Sequence, residues 1–290
     1  MALVLAPGIG VTRNGASRWL NIAGIQFQPS EIMKICFIVL IAYLICKKQD
    51  DIKKFWNGLI PIMFAAAPVF GLLVLQEHLS AMMIIAGILF IMLLIGGVKV
   101  FHLFPIVLSG IAGVVMYIFS SPFRRQRFMI FLDPWSDRDA GWQIVQSLYA
   151  IASGGVFGVG LGQGTQKYMY IPEPHNDFIL ATWAEETGLI GVLLIIILFA
   201  LFIWRGSRIA MKANDKFGSL LAIGVTAMIG IQAVFNIAVV SSSMPVTGIS
   251  LPFCSYGGTS LIILFISVGL LLSVSRLNKQ KEEKEKKETL

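Results

Sequence analysis

Four acidic residues and one histidine stand in a short stretch of an otherwise apolar chain, residues 168–188. They are Glu173, Asp177, Glu185, Glu186 and His175, and no lysine or arginine accompanies them. Two prolines favour an extended backbone in the first half, and the helical pattern that follows predicts Asn176 as N-cap with Asp177 in the first turn. Asp177 is then either a capping acid or a reactive carboxylate at a membrane surface.

The elements that must position these side chains are membrane helices. The chain has 290 residues, of which 56% are hydrophobic and 13% are charged, whereas soluble domains carry about 25% charged residues. Apolar runs close to the ~20 residues that cross a bilayer lie at about 29–46, 57–75, 79–98, 101–120, 188–204, 217–240 and 259–275. We therefore predict an all-α polytopic membrane protein.

The predicted organisation is one transmembrane domain, residues 1–275, followed by a charged tail, residues 276–290. Residues 121–187 are too many for a simple connection and are predicted to form a large extracytoplasmic loop. When seven spans are counted, most lysines and arginines fall on the same side as the tail. This bias places the tail in the cytoplasm and Asp177 outside. Residues 11–28 are predicted to form a polar loop with a turn at Asn14-Gly15.

A second candidate site lies where the first span begins. Pro29 and Glu31 suit the N-terminus of a helix. Lys34 would lie ~7–8 Å inside that helix at 1.5 Å per residue, a depth at which a charged group usually faces a cavity or a partner. The plain alternative is an ion pair between Glu31 and Lys34 that only supports the helix start.

Further polar groups have two interpretations each. The outer side carries a basic cluster, Arg124, Arg125 and Arg127. These side chains either extend to lipid phosphates or bind an anionic ligand. Residues 76–78 (QEH) have two interpretations of equal weight: a turn at the level of the lipid headgroups, or part of a functional site. Asn236, with Gln232 on the same helix face, is predicted to form hydrogen bonds between helices.

Motifs for several other chemistries are absent from the sequence. The three histidines and three cysteines form no HExxH or paired CxxC motif, so no protein metal site is predicted. The Gly-rich segment at 154–164 does not satisfy GxGxxG and no predicted strand precedes it, which argues against a dinucleotide site. We expect no nucleic-acid partner.

Nine short motifs in the same order resemble the SEDS family of bacterial envelope proteins, the group of FtsW, RodA and SpoVE. They are PGIG at 7–10, NGASRWL at 14–20, FQPSE at 27–31 with Lys34, DP at 133–134, GWQ at 141–143, GVGLG at 158–162, PEPHNDF at 172–178, AEE at 184–186 with Gly188, and PFCSYGG at 252–258. Together they cover nearly the whole chain, and the resemblance is closer to the FtsW/SpoVE branch than to RodA. The family usually has about ten helices, so we expect this chain to lack the first two to three.

The resemblance implies a SEDS-type helix bundle that polymerises lipid II, a disaccharide-peptide on undecaprenyl pyrophosphate, at the outer face of the bacterial cytoplasmic membrane. It implies a class B penicillin-binding protein as partner, with other division or elongation proteins and membrane lipid around it. By resemblance, Asp177 is the essential acid, and Trp19, Glu31 and Lys34 belong to family motifs. We expect His175 and Arg18 to contact substrate as well. A divalent cation, Mg²⁺ or Mn²⁺, is compatible with these acids.

The chemistry agrees with this inventory. Glycosyl transfer needs a base for the attacking sugar hydroxyl, which we assign to Asp177. A pyrophosphate leaving group needs positive charge rather than a proton, which Lys34, Arg18 or the Arg124–Arg127 cluster would supply, with Glu31 orienting Lys34. Two rival functions use the same residues differently: a lipid II flippase needs no base, and a scaffold that recruits a transpeptidase needs neither group.

Overall fold

The computed structural model describes residues 1–6, 10–13, 16–22, 24–137, 139, 141–166 and 176–288. After a short 3₁₀ helix, Ala2–Leu5, come three strands: β1 (Gly10–Arg13), β2 (Ala16–Ile22) and β3 (Ile25–Phe27). The helices are α1 (Pro29–Lys47), α2 (Ile60–Leu75, preceded by a π-helical turn, Phe55–Leu59), α3 (Leu79–Gly96), α4 (Val100–Phe119), α5 (Pro122–Leu132), α6 (Trp142–Gly154), α7 (Ile179–Met211), α8 (Lys216–Val240) and α9 (Gly258–Glu288).

The prediction of an all-α polytopic membrane protein is confirmed. Within the described residues, seven helices are long and apolar enough to cross a membrane: α1, α2 with its π-helical turn, α3, α4, α7, α8 and the part of α9 up to Lys281. Each matches one predicted span. The largest difference is at α7, which begins at Ile179 and bends at Gly188, where φ is 67°. The division into one transmembrane domain and a tail stays a prediction.

The segment predicted as a polar loop before the first span is a small antiparallel sheet. Its order is β1-β2-β3, with Val11 opposite Trp19 and Leu20 opposite Phe27. Gly24 occupies the turn between β2 and β3 with φ of 84°, which favours glycine. The short strands escaped the sequence pattern because few apolar residues alternate along them.

The chain forms two compact units. Unit 1 comprises Met1–Phe104, Phe202–Ile231 and Gly258–Leu290. Its core centres on α1, where Phe37, Ile38 and Ile41 are almost fully buried. A Cβ placed on Gly224 of α8 would lie 2.6 Å from Ile38 and 3.1 Å from Met92. Only a glycine therefore allows α8 to approach α1 and α3 this closely.

Unit 2 comprises Pro105–Leu201 and Gln232–Gly257. Its buried core joins the start of α7 to α6 and to the end of α8 through Ala150, Phe178, Ala181, Val239 and Leu251. Phe178, the residue after Asp177, is fully buried. The backbone that carries Asp177 is therefore fixed by the packing of its neighbour.

Candidate functional site

Asp177 lies in a turn that is held from the far end of unit 2. The Asn236 side-chain amide on α8 donates 2.7 Å hydrogen bonds to the carbonyls of both Asp177 and Ile249. The Ser255 hydroxyl donates to the carbonyl of Asn176 at 2.7 Å and accepts a bond from the Leu251 amide at 2.7 Å. Side-chain donors that are distant in the sequence thus hold two successive main-chain carbonyls, those of Asn176 and Asp177.

These contacts explain why the predicted helix start is wrong. The N-cap carbonyl of a helix accepts the first intrahelical bond, and here the Phe178 carbonyl accepts from Ala181 at 3.0 Å and from Thr182 at 3.4 Å. Helix α7 therefore begins after Phe178 rather than after Asn176. The carbonyls of Asn176 and Asp177 are engaged by Ser255 and Asn236, so neither opens the helix.

The loop after α8 reaches the Asp177 side chain. Gly248 has φ of 63°, and a Cβ placed on it would lie 3.3 Å from Asp177 Oδ2. The half-buried carboxylate therefore lies directly over this glycine. By composition alone, the uncharged segment at residues 245–260, which contains this loop, is a turn-rich linker. Its role was missed because it acts through a backbone without a side chain and through the hydroxyl of Ser255.

Asn236 was predicted to bond between helices, and its fully buried amide instead supports the Asp177 turn and the loop after α8. Its Oδ1 atom is buried and has no hydrogen-bond partner among the described residues. A buried amide oxygen without a hydrogen-bond donor costs free energy. The side chain is therefore placed to donate to the two carbonyls, at the expense of a hydrogen bond to its own oxygen.

Glu185 has a structural role that the sequence does not reveal. The side chain is 2% exposed. Its Oε1 accepts from the Thr165 amide at 2.8 Å and the Thr165 hydroxyl at 3.1 Å, and its two oxygens accept from the Gln166 amide at 3.3 and 3.2 Å. Glu185 thereby anchors the residues just before the segment that leads to Asp177.

Glu186 anchors the same loop one turn earlier, because its Oε2 accepts from the Gly162 amide at 3.0 Å. The backbones cross closely here: a Cβ on Gly158, where φ is 79°, would lie 2.2 Å from the Glu186 carbonyl oxygen. The glycines of this segment therefore allow close backbone approach, and the two glutamates hold the crossing in place.

In unit 1, Lys34 is buried and paired. Its side chain is 2% exposed, and Nζ lies 2.8 Å from Oε1 of Glu31, which is 22% exposed. Helix α1 begins at Pro29, with Gln28 as N-cap, so Lys34 lies on the second turn as predicted. Lys34 is therefore not a surface cation, and Glu31 supplies the partner that its buried charge requires.

His78 lies beside Gln28, the N-cap residue of α1. It is 8% exposed, and its Nε2 lies 2.6 Å from Nε2 of Gln28. Burial, followed by the charges of Arg18 and Lys34, lowers the pKa of His78 to about 3. The ring is neutral at pH 7. Since the Gln28 amide donates, His78 Nε2 accepts and the ring proton sits on Nδ1.

The Nδ1 atom of His78 is buried and has no hydrogen-bond partner among the described residues. A neutral N–H donor near two cations is suited to an anionic oxygen. Arg18, on β2, donates from Nε to the Gln76 carbonyl at 3.5 Å and from a terminal nitrogen to the Glu77 carbonyl. Arg18 therefore ties the sheet to the turn that carries His78.

The arginine cluster lies on α5 in unit 2. The Arg124 guanidinium stacks 3.9 Å from the centre of the Tyr117 ring and donates to the Ser120 hydroxyl at 3.3 Å. Arg125 and Arg127 are both exposed. Arg124 is thus oriented by its neighbours on α4 and the turn after it, and it is the least exposed of the three.

The remaining predicted residues divide between described and undescribed parts of the chain. Trp19 is half-buried on β2. His175 lies outside the described residues, as do Glu173 and Lys167. Within the described part of the chain, no group of three or more histidine, cysteine, aspartate or glutamate side chains comes together as a metal site. The oxygens of Glu185 are already used by N–H and O–H donors, which does not suit a resident cation.

Fold and site together define a polytopic α-helical membrane protein, with an anchored aspartate in one unit and, in the other, a buried lysine near a neutral histidine. The family model described as a cell cycle protein, FtsW/RodA/SpoVE, matches residues 1–280. The chain therefore belongs to this family, and the resemblance inferred from its motifs is confirmed.

Named relatives and solved structures agree. The chain is 42% identical over 280 residues to stage V sporulation protein E of Bacillus subtilis (strain 168), covering 96% of this chain and 76% of that protein. It is 44% identical over 276 residues to a probable peptidoglycan glycosyltransferase FtsW of Geobacter sp. (strain M18), covering 95% and 75%.

Two solved structures also resemble the chain. One is a chain from a structure that describes the coordination of polymerization and crosslinking by a peptidoglycan synthase complex. It matches with a TM-score of 0.77 and 29% identity, covering 96% of this chain and 79% of that one. The Rod shape determining protein RodA of Thermus thermophilus matches with a TM-score of 0.65 and 28% identity, covering 95% and 74%.

Proposed function

We propose that this protein is a peptidoglycan glycosyltransferase that polymerises lipid II into glycan strands, for cell division or spore cortex synthesis. Membership of the FtsW/RodA/SpoVE family supports the activity, as do relatives named peptidoglycan glycosyltransferase FtsW. The structural observation that carries the proposal is the Asp177 turn. Its main chain is fixed by Asn236 and Ser255, and its half-buried carboxylate lies over Gly248.

In this proposal Asp177 is the general base. It accepts the proton of the acceptor 4-hydroxyl while that oxygen bonds to the anomeric carbon of the donor sugar. The bond from the anomeric carbon to the pyrophosphate oxygen breaks, and undecaprenyl pyrophosphate leaves with the electron pair. General base catalysis of this kind contributes roughly 10²–10⁴ in rate.

The leaving pyrophosphate needs positive charge and hydrogen-bond donors, not a proton. We propose Lys34 of unit 1 for this role, because its buried Nζ is oriented by Oε1 of Glu31 at 2.8 Å. The neutral Nδ1–H of His78 is a further donor to phosphate oxygens, which sequence reasoning left open. Arg18 holds the His78 turn through the carbonyls of Gln76 and Glu77, so we assign it a positioning role beside its charge.

Trp19, His175, Arg124, Arg125 and Arg127 are proposed to contact the sugar or the diphosphate. Arg125 and Arg127 are exposed, so we rank them before Arg124 for an anionic group. A Mg²⁺ or Mn²⁺ ion, where it participates, is proposed to arrive on the substrate's pyrophosphate. The described residues bring together no group of three protein ligands for it, so no step is assigned to a resident metal.

The proposed partner is a class B penicillin-binding protein that crosslinks the strands, with other division or elongation proteins around the pair. The similar chain from a peptidoglycan synthase complex supports a partner of this kind. The multi-pass membrane location follows from seven apolar helices. The proposed orientation, with Asp177 outside and the tail in the cytoplasm, follows the bias of lysine and arginine.

The complete protein, purified in detergent and incubated with lipid II, tests the function. Detergent removes the sidedness that a flippase needs, so glycan strands resolved by gel electrophoresis indicate polymerisation. We expect strands to form from lipid II with the complete protein and its partner. A preparation that binds lipid II but forms no strands, alone or with the transpeptidase, would favour the flippase or the scaffold instead.

A further inference from the structure

A basic cavity lies in unit 1, far along the chain from the residues assigned above, where the last turns of α7 face α9. Its volume is about 410 Å³. Four cations line it: Arg205, Arg208, Lys212 and Lys279. Among the described residues that line the cavity there is no aspartate or glutamate. The proposed glycosyl transfer uses none of these side chains.

The floor of the cavity is rigid and already satisfied. Ile209 and Asn278 are 9% and 7% exposed. The Asn278 amide donates to the Ile209 carbonyl at 3.2 Å, and its oxygen accepts from the Asn214 amide at 3.2 Å. These bonds fix α9 against the end of α7, so the spacing of the cations above the floor is set by the fold.

The charge of the cavity is not explained by helix ends alone. Cations suit the last turn of α7 because of the helix dipole, but Lys279 comes from another helix and faces the same space. Asp215 accepts from the Gly218 amide at 2.9 Å and serves the start of α8. An anion bound in the cavity meets cations from both helices, which favours its binding.

Apolar side chains are exposed on both helices that form the cavity. Trp204 lines it and is 54% exposed, and Leu272, about one helical turn before the lining residue Ser275 on α9, is 59% exposed. The Arg208 guanidinium lies 5.2 Å from the centre of the Trp204 ring, an arrangement that joins a cation to an aromatic side chain at headgroup level. A soluble anion gains nothing from such flanks, whereas a lipid gains contacts for its acyl chains.

We propose that this cavity binds the headgroup of an anionic glycerophospholipid. Its phosphodiester lies among Arg205, Arg208, Lys212 and Lys279, and its acyl chains run along Trp204 and Leu272. Basic pockets between helices at the membrane surface select such lipids. This site is separate from the proposed catalytic groups, so its ligand anchors the basic end of the bundle in the anionic leaflet.

Native mass spectrometry of the complete protein in detergent tests the proposal. The protein is titrated with phosphatidylglycerol, with the neutral lipid phosphatidylcholine, and with glycerol phosphate and inorganic phosphate as soluble sources of the same group. We expect at least tenfold preference for phosphatidylglycerol over phosphatidylcholine, and no displacement by the soluble phosphates at equal concentration.

Variants locate the site. Each cation that is neutralised should weaken phosphatidylglycerol binding roughly fivefold, so Arg208→Gln gives about fivefold and the quadruple glutamine variant of Arg205, Arg208, Lys212 and Lys279 more than a hundredfold. The matched control replaces Lys47, Lys48, Lys53 and Lys99 by glutamine. It removes the same charge from the same predicted side without touching the cavity, and should leave binding within twofold.

Ser275→Glu provides a second variant that keeps all four cations and places an acid in the cavity. It should weaken phosphatidylglycerol binding at least tenfold even where the quadruple variant does not fold. Equal loss in the cavity and control variants, unchanged binding by Ser275→Glu, or displacement of the lipid by glycerol phosphate would each overturn the proposal.

Discussion

Asp177 and Glu185 belong to the same acidic stretch and to the same unit, but the fold holds them in opposite ways. Glu185 is 2% exposed and both its oxygens accept bonds from Thr165 or Gln166. Asp177 is half-buried and anchored through its main-chain carbonyl, which accepts from Asn236. One acid is fixed by its carboxylate, and the other is fixed by its backbone.

The difference separates structure from chemistry. A carboxylate whose oxygens accept bonds from main-chain amides stabilises a loop, and those oxygens are occupied by protein donors rather than open to a substrate. The main chain that carries the Asp177 side chain is held by Asn236 and Ser255, through the carbonyls of Asp177 and Asn176. The two carboxylates, Asp177 and Glu185, thus have different roles, and substitutions that remove the charge at each position distinguish those roles.

The largest expected effect is on the reaction rate of Asp177→Asn. The amide keeps the size of the side chain and the Asn236 bond to the carbonyl but cannot take a proton. We expect the polymerisation rate to fall roughly 10²–10⁴-fold while the thermal midpoint stays within about 2 °C of the wild type. Asp177→Glu, which keeps a displaced carboxylate, should retain more activity than Asp177→Asn.

Glu185→Gln should show the reverse pattern. One carboxylate oxygen becomes an NH₂ group that faces the Gln166 amide, so a charged acceptor is lost and two donors meet. We expect a loss of about 2 kcal/mol in unfolding free energy and a thermal midpoint lower by about 4–8 °C. Activity per folded molecule should stay within a factor of about three. A rate loss as large as that of Asp177→Asn, in folded protein, would erase the contrast between the two acids.

His78 extends the contrast to a buried titratable group in unit 1. Its pKa is lowered from 6.5 to about 3, so below pH 6.5 the unfolded chain binds a proton that the folded chain rejects. Stability is therefore full above pH 6.5 and falls as the pH drops toward 3.

Thermal unfolding in detergent at pH 7 and pH 4.5 measures this effect. Between these values the wild type should lose about 2 kcal/mol more than His78→Gln, which cannot titrate. Parallel losses in the two proteins would show that His78 is not kept neutral by the fold.

The smallest expected effect concerns the glycine under Asp177. A Cβ at Gly248 would lie 3.3 Å from Oδ2 of Asp177, and the backbone there has a positive φ of 63°. Gly248→Ala should therefore displace the carboxylate by tenths of an ångström and lower kcat about tenfold.

Gly155→Ala is the matched control, because Gly155 also has a positive φ, 51°, but no atom lies within 4 Å of its Cβ position. Both variants should lose about 1–3 kcal/mol of stability. Equal kcat values for the two variants would show that Gly248 does not position the Asp177 carboxylate.

The sequence predicts the membrane helices well because length and apolar composition alone decide a span. Lys34 and its pairing with Glu31 were predictable for a similar reason: the helix start at Pro29 is a local signal, and three residues along a helix bring the two side chains together.

The surroundings of Asp177 could not be predicted. The start of α7 moved to Ile179 because Ser255 and Asn236, distant in the chain, take the carbonyls that would have opened the helix. Gly248 carries no side chain that a pattern could detect. The role of Glu185 depends on amides of Thr165 and Gln166, and a main-chain donor has no signature in the sequence.

The most direct test measures the lipid II polymerisation rate of Asp177→Asn and Glu185→Gln side by side, in the complete protein and per folded molecule. A general base at Asp177 and a structural acid at Glu185 predict strands from Glu185→Gln at close to the wild-type rate and essentially none from Asp177→Asn. Full polymerisation by folded Asp177→Asn would contradict the account.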